Sequence, residues 1–332
     1  MTRILHLTLC IVGIVIGLLV ANRPRLWWQE VFHSAALYWS VPAFFAALYL
    51  MRSMLRRGAW SWLSVVAILA YLYAITEMGY RVRRYFHFAG WKSVVATAPV
   101  VSGVWIDSFS PATEQALVQD LVARFSPALL IVGAKGAGPL VSQQVAGAYN
   151  YRVSTSPAPD GVIEIHSRFK PATDKVTELG SNALPGGVVS LIMPDGGQFE
   201  IGVLMLERSV DKESFERNRI SSRRLSSLMR SSQQRRLVVG NFNTTPFSML
   251  SSIFNAQSRM YSLIFGSGFV NVLKSLNVNS SAFGRNVFVS SEISPKDLQF
   301  IAFTNGREPA LFFSVLVGQT MTQPAADATI GE

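Results

Sequence analysis

The sequence predicts an α/β sandwich, two β-sheets packed face to face with helices outside, preceded by three membrane-spanning helices. Two observations predict it. Three long apolar stretches crowd the first 77 residues between arginine clusters. After them, strand–helix units open and close the chain around a β-rich middle, the element pattern of a layered α/β or α+β domain.

The apolar stretches run over 4–21, 35–51 and 59–76. Each has about the length that crosses a bilayer as a helix, and helix is the one open-chain form that satisfies its own backbone in lipid. Trp27, Trp28, Trp60, Trp62, Tyr71 and Tyr73 are placed as an interfacial aromatic belt would be, and Pro42 predicts a kink in the second span. A basic juxtamembrane linker follows at 78–97, with Arg81, Arg83, Arg84 and Lys92. The Lys/Arg distribution does not decide which side of the membrane carries the large domain.

From residue 78 onward the chain holds 24 Lys+Arg against 18 Asp+Glu, and residues 211–236 supply 8 and 3 of these. The cationic excess is therefore local, which argues against a nucleic-acid surface along the whole domain. The one cysteine, Cys10, lies in the first apolar stretch, so disulfides and thiolate metal sites are excluded downstream.

The segment at 100–109, VVSGVWIDSF, reads as a strand. Ser110-Pro111 then starts a helix, with Ser as cap and Pro at its first position, and Leu117, Val118, Leu121, Val122 and Phe125 fall on one face. ALLIVGA, 128–134, reads as a buried strand, and a short helix is expected in PLVSQQVAGAY. Four β-rich runs follow: YRVSTS, GVIEIHSRF, GGVVSLIMP and QFEIGVLMLE. A basic helix is expected over 212–231, with Leu225, Leu228 and Met229 packed inward and Arg217, Arg219, Arg223, Arg224 and Arg230 along it. Arg235 and Arg236 lie just beyond. RLVVGNF is the next strand and SMLSSIFNAQSRM the next helix. Strands at 286–291, 298–304 and 310–318 close the domain, and a polar tail at 319–332 is expected to be disordered.

VVGNFNTTPFS, 238–248, resembles the V-x-G-D-F-N-x-x-P-x-S segment of the endonuclease/exonuclease/phosphatase superfamily. GVIEIHSRFKP, RNVFVSS and GREPALFFSVLV resemble further segments of that family in the same order, covering about 98–318. Three spans ahead of such a domain resemble a bacterial, membrane-anchored branch. The resemblance implies a four-layer αββα sandwich with a site at the strand ends, and cleavage of phosphate esters with Mg²⁺ or Mn²⁺. It also implies localisation in the bacterial inner membrane.

That chemistry needs carboxylate ligands for a hard cation and a base for water. The family's metal-binding Glu falls at Ala134, next to Lys135. Its Asp falls at Asn241, although the following amide, Asn243, is kept. Its Asp-His pairs fall at Arg285-Asn286 and Arg307-Glu308. No histidine follows His166. The expectation is thus a pseudoenzyme that takes no cofactor, with Lys135, Asn241, Asn243, Arg285 and Arg307 as candidate ligand-binding residues and the turn held by amide-to-backbone bonds from Asn241, Asn243 and Thr244. The expected partners are the bilayer, with an anionic headgroup, a phosphate-bearing ligand or a protein, and not nucleic acid. The alternatives are an active metal-dependent phosphodiesterase or nuclease built on Asp107, Asn241, Asn243 and Glu308, or a structural subunit of a membrane complex. Glu164 and His166 are expected to be surface or satisfied polar residues.

Overall fold

The computed structural model describes residues 2–21, 28–29, 32, 36–57, 61–85, 98–107, 111–134, 140–156, 160–232, 234–243, 248–263, 284–301 and 310–318. Lys135, Thr244, Arg307, Glu308 and the tail at 319–332 lie outside them.

All three apolar stretches are helical: α1 (Thr2–Ala21), α2 (Ala36–Arg57) and α3 (Trp62–Tyr85). Among the described residues two segments, not three, are long and apolar enough to cross a membrane, Arg3–Ala21 and Trp62–Tyr80. The stretch expected at 35–51 misses that standard because α2 mixes Tyr38, Trp39, Ser40 and Pro42 among its apolar residues and carries Arg52, Arg56 and Arg57 in its last turns. The third stretch starts later than expected, at Trp62. The contact between α1 and α3 is close because Gly13 and Gly17 bring the backbones together. A Cβ at Gly13 would lie 2.6 Å from Tyr71 Cε2, and one at Gly17 2.8 Å from Ala70 Cβ. Two small residues four apart on an apolar helix form a packing face of this kind. Two polar contacts tie the bundle together: His6 Nε2 is 2.8 Å from Ser64 Oγ, and Tyr71 Oη donates to the Leu9 carbonyl at 2.8 Å.

The rest of the chain forms two mixed sheets. The strands of the first are β1 (Val100–Ile106), β2 (Leu129–Ala134), β3 (Tyr151–Ser154), β4 (Val162–Ser167), β12 (Ile293–Ile301) and β13 (Ala310–Val317), in the order β12-β13-β1-β2-β4-β3. The second contains β5 (Lys170–Pro171), β6 (Thr177–Glu178), β7 (Gly186–Ile192), β8 (Gln198–Met205), β9 (Arg235–Asn241), β10 (Tyr261–Ser262) and β11 (Arg285–Val289). Its order is β10-β11-β9-β8-β7-β5, with β6 also paired to β7. The sheets face each other across one apolar core that takes Trp105, Ile131, Ile163 and Phe313 from the first and Leu191, Ile201, Val239 and Phe288 from the second.

Helices α4 (Pro111–Phe125) and α5 (Gln143–Ala146) cover the outer face of the first sheet through Val118, Leu121 and Val145. Helices α6 (Lys212–Ser231) and α7 (Met249–Ser258) cover the second through Leu225, Met229 and Phe254. The buried face of α6 is rich in serine (Ser214, Ser221, Ser222 and Ser226), which lets it sit near the sheet. Gly202 on β8 marks that approach: a Cβ there would lie 3.1 Å from Leu225 Cδ1 and 3.2 Å from Met229 Cε.

The expected helix at 212–231 is reproduced, and Asp211 caps it: its Oδ1 accepts from Ser214 N at 2.8 Å. Most strand ends differ from the expected ones by one or two residues, and those of β1 and β12 by more. β1 stops at Ile106 because Asp107 turns out of the ladder into the site described below. β12 begins at Ile293, five residues before the expected start. Pro295 and Asp297 argue against a strand in the sequence, but β12 is an edge strand and takes them as a bulge.

Candidate functional site

The parallel pairs β1/β2 and β8/β9 give both sheets a common end at their C-terminal edges. Asp107 leaves β1 there, Asn241 ends β9, and Arg285 begins β11 opposite Asn241. Three residues far apart in sequence therefore meet between the sheets.

Their side chains are bonded to one another. Arg285 Nε donates to Asp107 Oδ1 at 2.8 Å, and Arg285 Nη2 donates to the same oxygen. Asn241 Nδ2 donates to Asp107 Oδ2. The side chains of Arg285 and Asp107 are 0% and 1% exposed, so this ion pair is shielded from water. Asn241 Oδ1 in turn accepts from Asn243 N at 2.9 Å, and Asn243 Nδ2 donates to the Leu206 carbonyl. Asn243 takes a left-handed backbone, φ 44°, which an amide residue tolerates in such a turn. Gly284 lets the chain pass: a Cβ there would lie 2.9 Å from Asn241 Oδ1. Asn241 and Asn243 thus hold the turn by side-chain-to-backbone bonds, while Thr244 lies outside the described residues.

The other predicted positions fall apart from this set. Ala134 ends β2 inside the apolar cluster under α4, with Ile106, Val132 and Leu140. Asn286 points to the opposite face of β11 from Arg285, as strand alternation requires, and accepts from Ser262 Oγ at 2.7 Å. Lys135, Arg307 and Glu308 lie outside the described residues.

A divalent ion does not fit the residues described here. Such an ion takes about six to eight oxygens, carboxylates among them. Asp107 is the carboxylate of the set, and each of its oxygens already accepts a bond. The guanidinium bound to it carries the charge a metal would bring and would repel one. Among the described residues no group of three or more His, Cys, Asp or Glu side chains is placed to hold a metal.

A second buried network lies under α5. Glu164 and His166, alternate residues of β4, are 1% and 2% exposed, so they are satisfied interior residues and not surface ones. Glu164 Oε1 accepts from Arg152 Nη2 at 2.5 Å and from Leu140 N at 3.1 Å, and Oε2 lies 3.1 Å from His166 Nε2. Burial raises the Glu164 pKa, but the bonds from His166, Leu140 and Arg152 outweigh it and the net shift is downward. Tyr149 packs beside His166 with its buried hydroxyl unpartnered, and burial pushes its pKa up to about 12 against the lowering effect of Arg168.

A cleft of about 540 Å³ opens beside the first half of α6, lined in part by Asp160, Asn182, Glu213, Glu216 and Arg217. Arg217 spans it, 2.8 Å from Asp160 and 3.0 Å from Glu207. Arginines of the predicted basic helix are thus partly structural. Arg224 Nη1 donates to the carbonyls of Leu179 and Ser181, and Arg219 pairs with Glu216.

No family model matches the chain, and no curated protein matches it. Among solved structures it is similar to an endonuclease/exonuclease/phosphatase from Beutenbergia cavernae, at 11% identity over 66% of this chain and 72% of that one, TM-score 0.49. It is also similar to the human Nocturnin catalytic domain with bound sulfate, at 15% identity over 65% and 93%, TM-score 0.49. A family protein from Bacteroides thetaiotaomicron matches at 10% identity over 68% and 100%, TM-score 0.47. With every one of these scores below 0.5, the architecture rests on the strand order and register given above.

Proposed function

We propose that this chain is a membrane-anchored protein of the endonuclease/exonuclease/phosphatase fold whose reaction centre has become a structural ion pair. On this reading the domain is a binding or scaffolding module at the bacterial inner membrane and not a phosphoesterase. One observation carries the proposal: the Arg285 guanidinium sits, fully buried, against Asp107 and beside Asn241. It places a fixed positive charge where the chemistry would need a mobile divalent one, and it occupies the carboxylate that would hold it.

Membrane anchoring is supported by the outward faces of α1 and α3. Ile4, Leu7, Ile11, Val15 and Leu18 on α1, and Trp62, Val66, Leu69, Leu72 and Tyr73 on α3, are exposed. Helices that are apolar outside as well as inside are stable in lipid and not in water.

The test uses the full chain in detergent, with calorimetric titration of Mn²⁺ and turnover of bis-(p-nitrophenyl) phosphate. The expected result is no saturable Mn²⁺ binding that depends on Asp107 and no metal-dependent hydrolysis. Hydrolysis that requires Mn²⁺ and disappears in Asp107→Asn overturns the proposal in favour of an active enzyme.

A further inference from the structure

The two ends of the sandwich differ in charge and in what joins them. The mouth just described is one end. The other lies a strand away, about 20 Å for the six steps of β1, and the chain enters there. Val317 N donates to the Pro99 carbonyl at 2.9 Å, just before β1, so the tether from α3 reaches the sandwich at this end. Residues 86–99 separate Tyr85 from Val100, a span of at most about 50 Å when fully extended. The tether therefore keeps this end within about 50 Å of the end of α3.

Three helices run from the mouth to this end, and each finishes on an arginine. Arg124 is in the last turn of α4, Arg230 in the last turn of α6, and Arg259 caps α7. All three are exposed, as are Arg168 and Lys170, which follow β4 at the same end. The C-termini of α6 and α7 are drawn together by a single guanidinium. Arg236 Nη1 donates to the carbonyls of Met229, at 2.5 Å, and Ser258, at 3.1 Å. Arg230 and Arg259, each the next residue along, are thus neighbours. Arg235 Nη1 donates to the Gly318 carbonyl at 2.8 Å, beside the point where the tether joins.

The carboxylates toward this end are Asp120, one turn before Arg124 on α4, and Asp195, which are exposed, and Glu200, Glu292 and Asp297, which are partly buried. Burial lowers the Arg236 pKa; Glu292 and Glu200 oppose that, and Arg259 adds to it. Glu200 and Glu292 act on Arg236 between the ends of α6 and α7, and so offset part of the positive charge there. From Arg217 to Ser291 the sequence contains no acidic residue and ten basic ones. Arg81, Arg83, Arg84 and Lys92 add four more in and beside the tether.

We propose that the tether end of the sandwich is a docking face for anionic phospholipid, with Arg230 and Arg259 at its centre and Arg124, Arg168 and Lys170 around them. Docking turns the opposite end, with the Asp107–Arg285 pair, away from the bilayer and toward the aqueous phase. The attraction is that of a polybasic segment held close to a negative surface. Arginine at a helix C-terminus also stabilises the helix dipole, and that role alone would predict no dependence on lipid charge. The inference rests on the membrane anchoring proposed above, and not on the loss of catalysis.

The full chain is reconstituted in nanodiscs of phosphatidylcholine, with or without phosphatidylglycerol. A fluorophore is placed through Ser231→Cys at the tether end or Lys212→Cys at the mouth end, each in a Cys10→Ser background. Energy transfer to a headgroup acceptor is the readout. The expected result is strong transfer from position 231 in anionic discs, lost in neutral discs and in 1 M salt, where the screening length falls to about 3 Å, with weak transfer from 212 throughout. Arg230→Gln/Arg259→Gln lowers the docked-to-undocked ratio about 30-fold while leaving the thermal midpoint in detergent within a few degrees. Equal transfer from 231 in neutral and anionic discs, or stronger transfer from 212, overturns the proposal. Failure of the chain to insert into discs would count against the anchoring itself, and metal-dependent hydrolysis would count against the pseudoenzyme reading alone.

Discussion

Replacing Arg285 with methionine is the sharpest test of the ion pair. The substitution keeps most of the aliphatic volume and removes the guanidinium. Asp107 then stays buried, at 1% side-chain exposure, with Asn241 Nδ2 on one oxygen and no guanidinium facing the other. Breaking a buried pair from one side costs about 3–5 kcal/mol. At about 2–4 °C per kcal/mol for a domain of roughly 200 residues, the midpoint should fall by about 6–20 °C. Asp107→Leu alone should do comparable damage, because it strands the guanidinium. Asp107→Leu combined with Arg285→Met replaces both charges with apolar groups, and such replacements are often neutral or stabilising. The two substitutions should therefore be strongly non-additive, with a coupling of at least about 3 kcal/mol. The assay is thermal unfolding in detergent followed by near-ultraviolet circular dichroism. A loss below about 1 kcal/mol for Arg285→Met, the value of an exposed pair, refutes the reasoning, and so does a double variant that loses the sum of the singles.

Three further outcomes are expected. The lowered Glu164 pKa means that its share of stability is complete above the unfolded value near 4.5 and disappears as pH falls through the folded value. Glu164→Gln should accordingly flatten the acid limb of the stability–pH curve below about pH 4.5 while lowering stability at neutral pH. Tyr149 has the opposite sign. Its contribution is whole below the unfolded pKa of 10.0 and is lost as pH rises toward about 12. Tyr149→Phe should remove that alkaline limb and, by deleting an unpartnered buried hydroxyl, leave the protein as stable or about 1 kcal/mol more stable at pH 7. In the helical bundle, Gly17→Leu should cost about 1–3 kcal/mol by overpacking against Ala70, whereas Gly79→Leu, whose added Cβ meets nothing within 4 Å, should be close to silent. Melting in detergent separates the two.

Local signals in the sequence located most of the secondary structure, and long-range contacts were beyond them. The helix at 212–231 was legible because its cap and its apolar spacing are both local. The first residues of β12 were not, since Pro295 reads as a breaker until the strand is known to lie at a sheet edge. Glu164 and His166 alternate as exposed strand residues do, but β4 is covered on both faces and buries them. The amides at Asn241 and Asn243, with no acidic residue between them, could be read directly from the sequence. The destination of Arg285 could not, because its carboxylate partner lies 178 residues earlier and on the other sheet. The paired glycines Gly13 and Gly17 were a signal present in the sequence and passed over. Four residues apart in an apolar helix, they mark the face that meets α3.

A guanidinium locked between two sheets also makes a trap for any later change. Placing an acidic amino acid at position 241 would put a second anion beside one that is already matched. Withdrawing the arginine first would leave the interior charged and the domain weakened. Each single step toward a cation-holding mouth therefore passes through a less stable protein, and only a concerted exchange at distant codons avoids it. The interior charge pair acts as a one-way latch on what this domain can become.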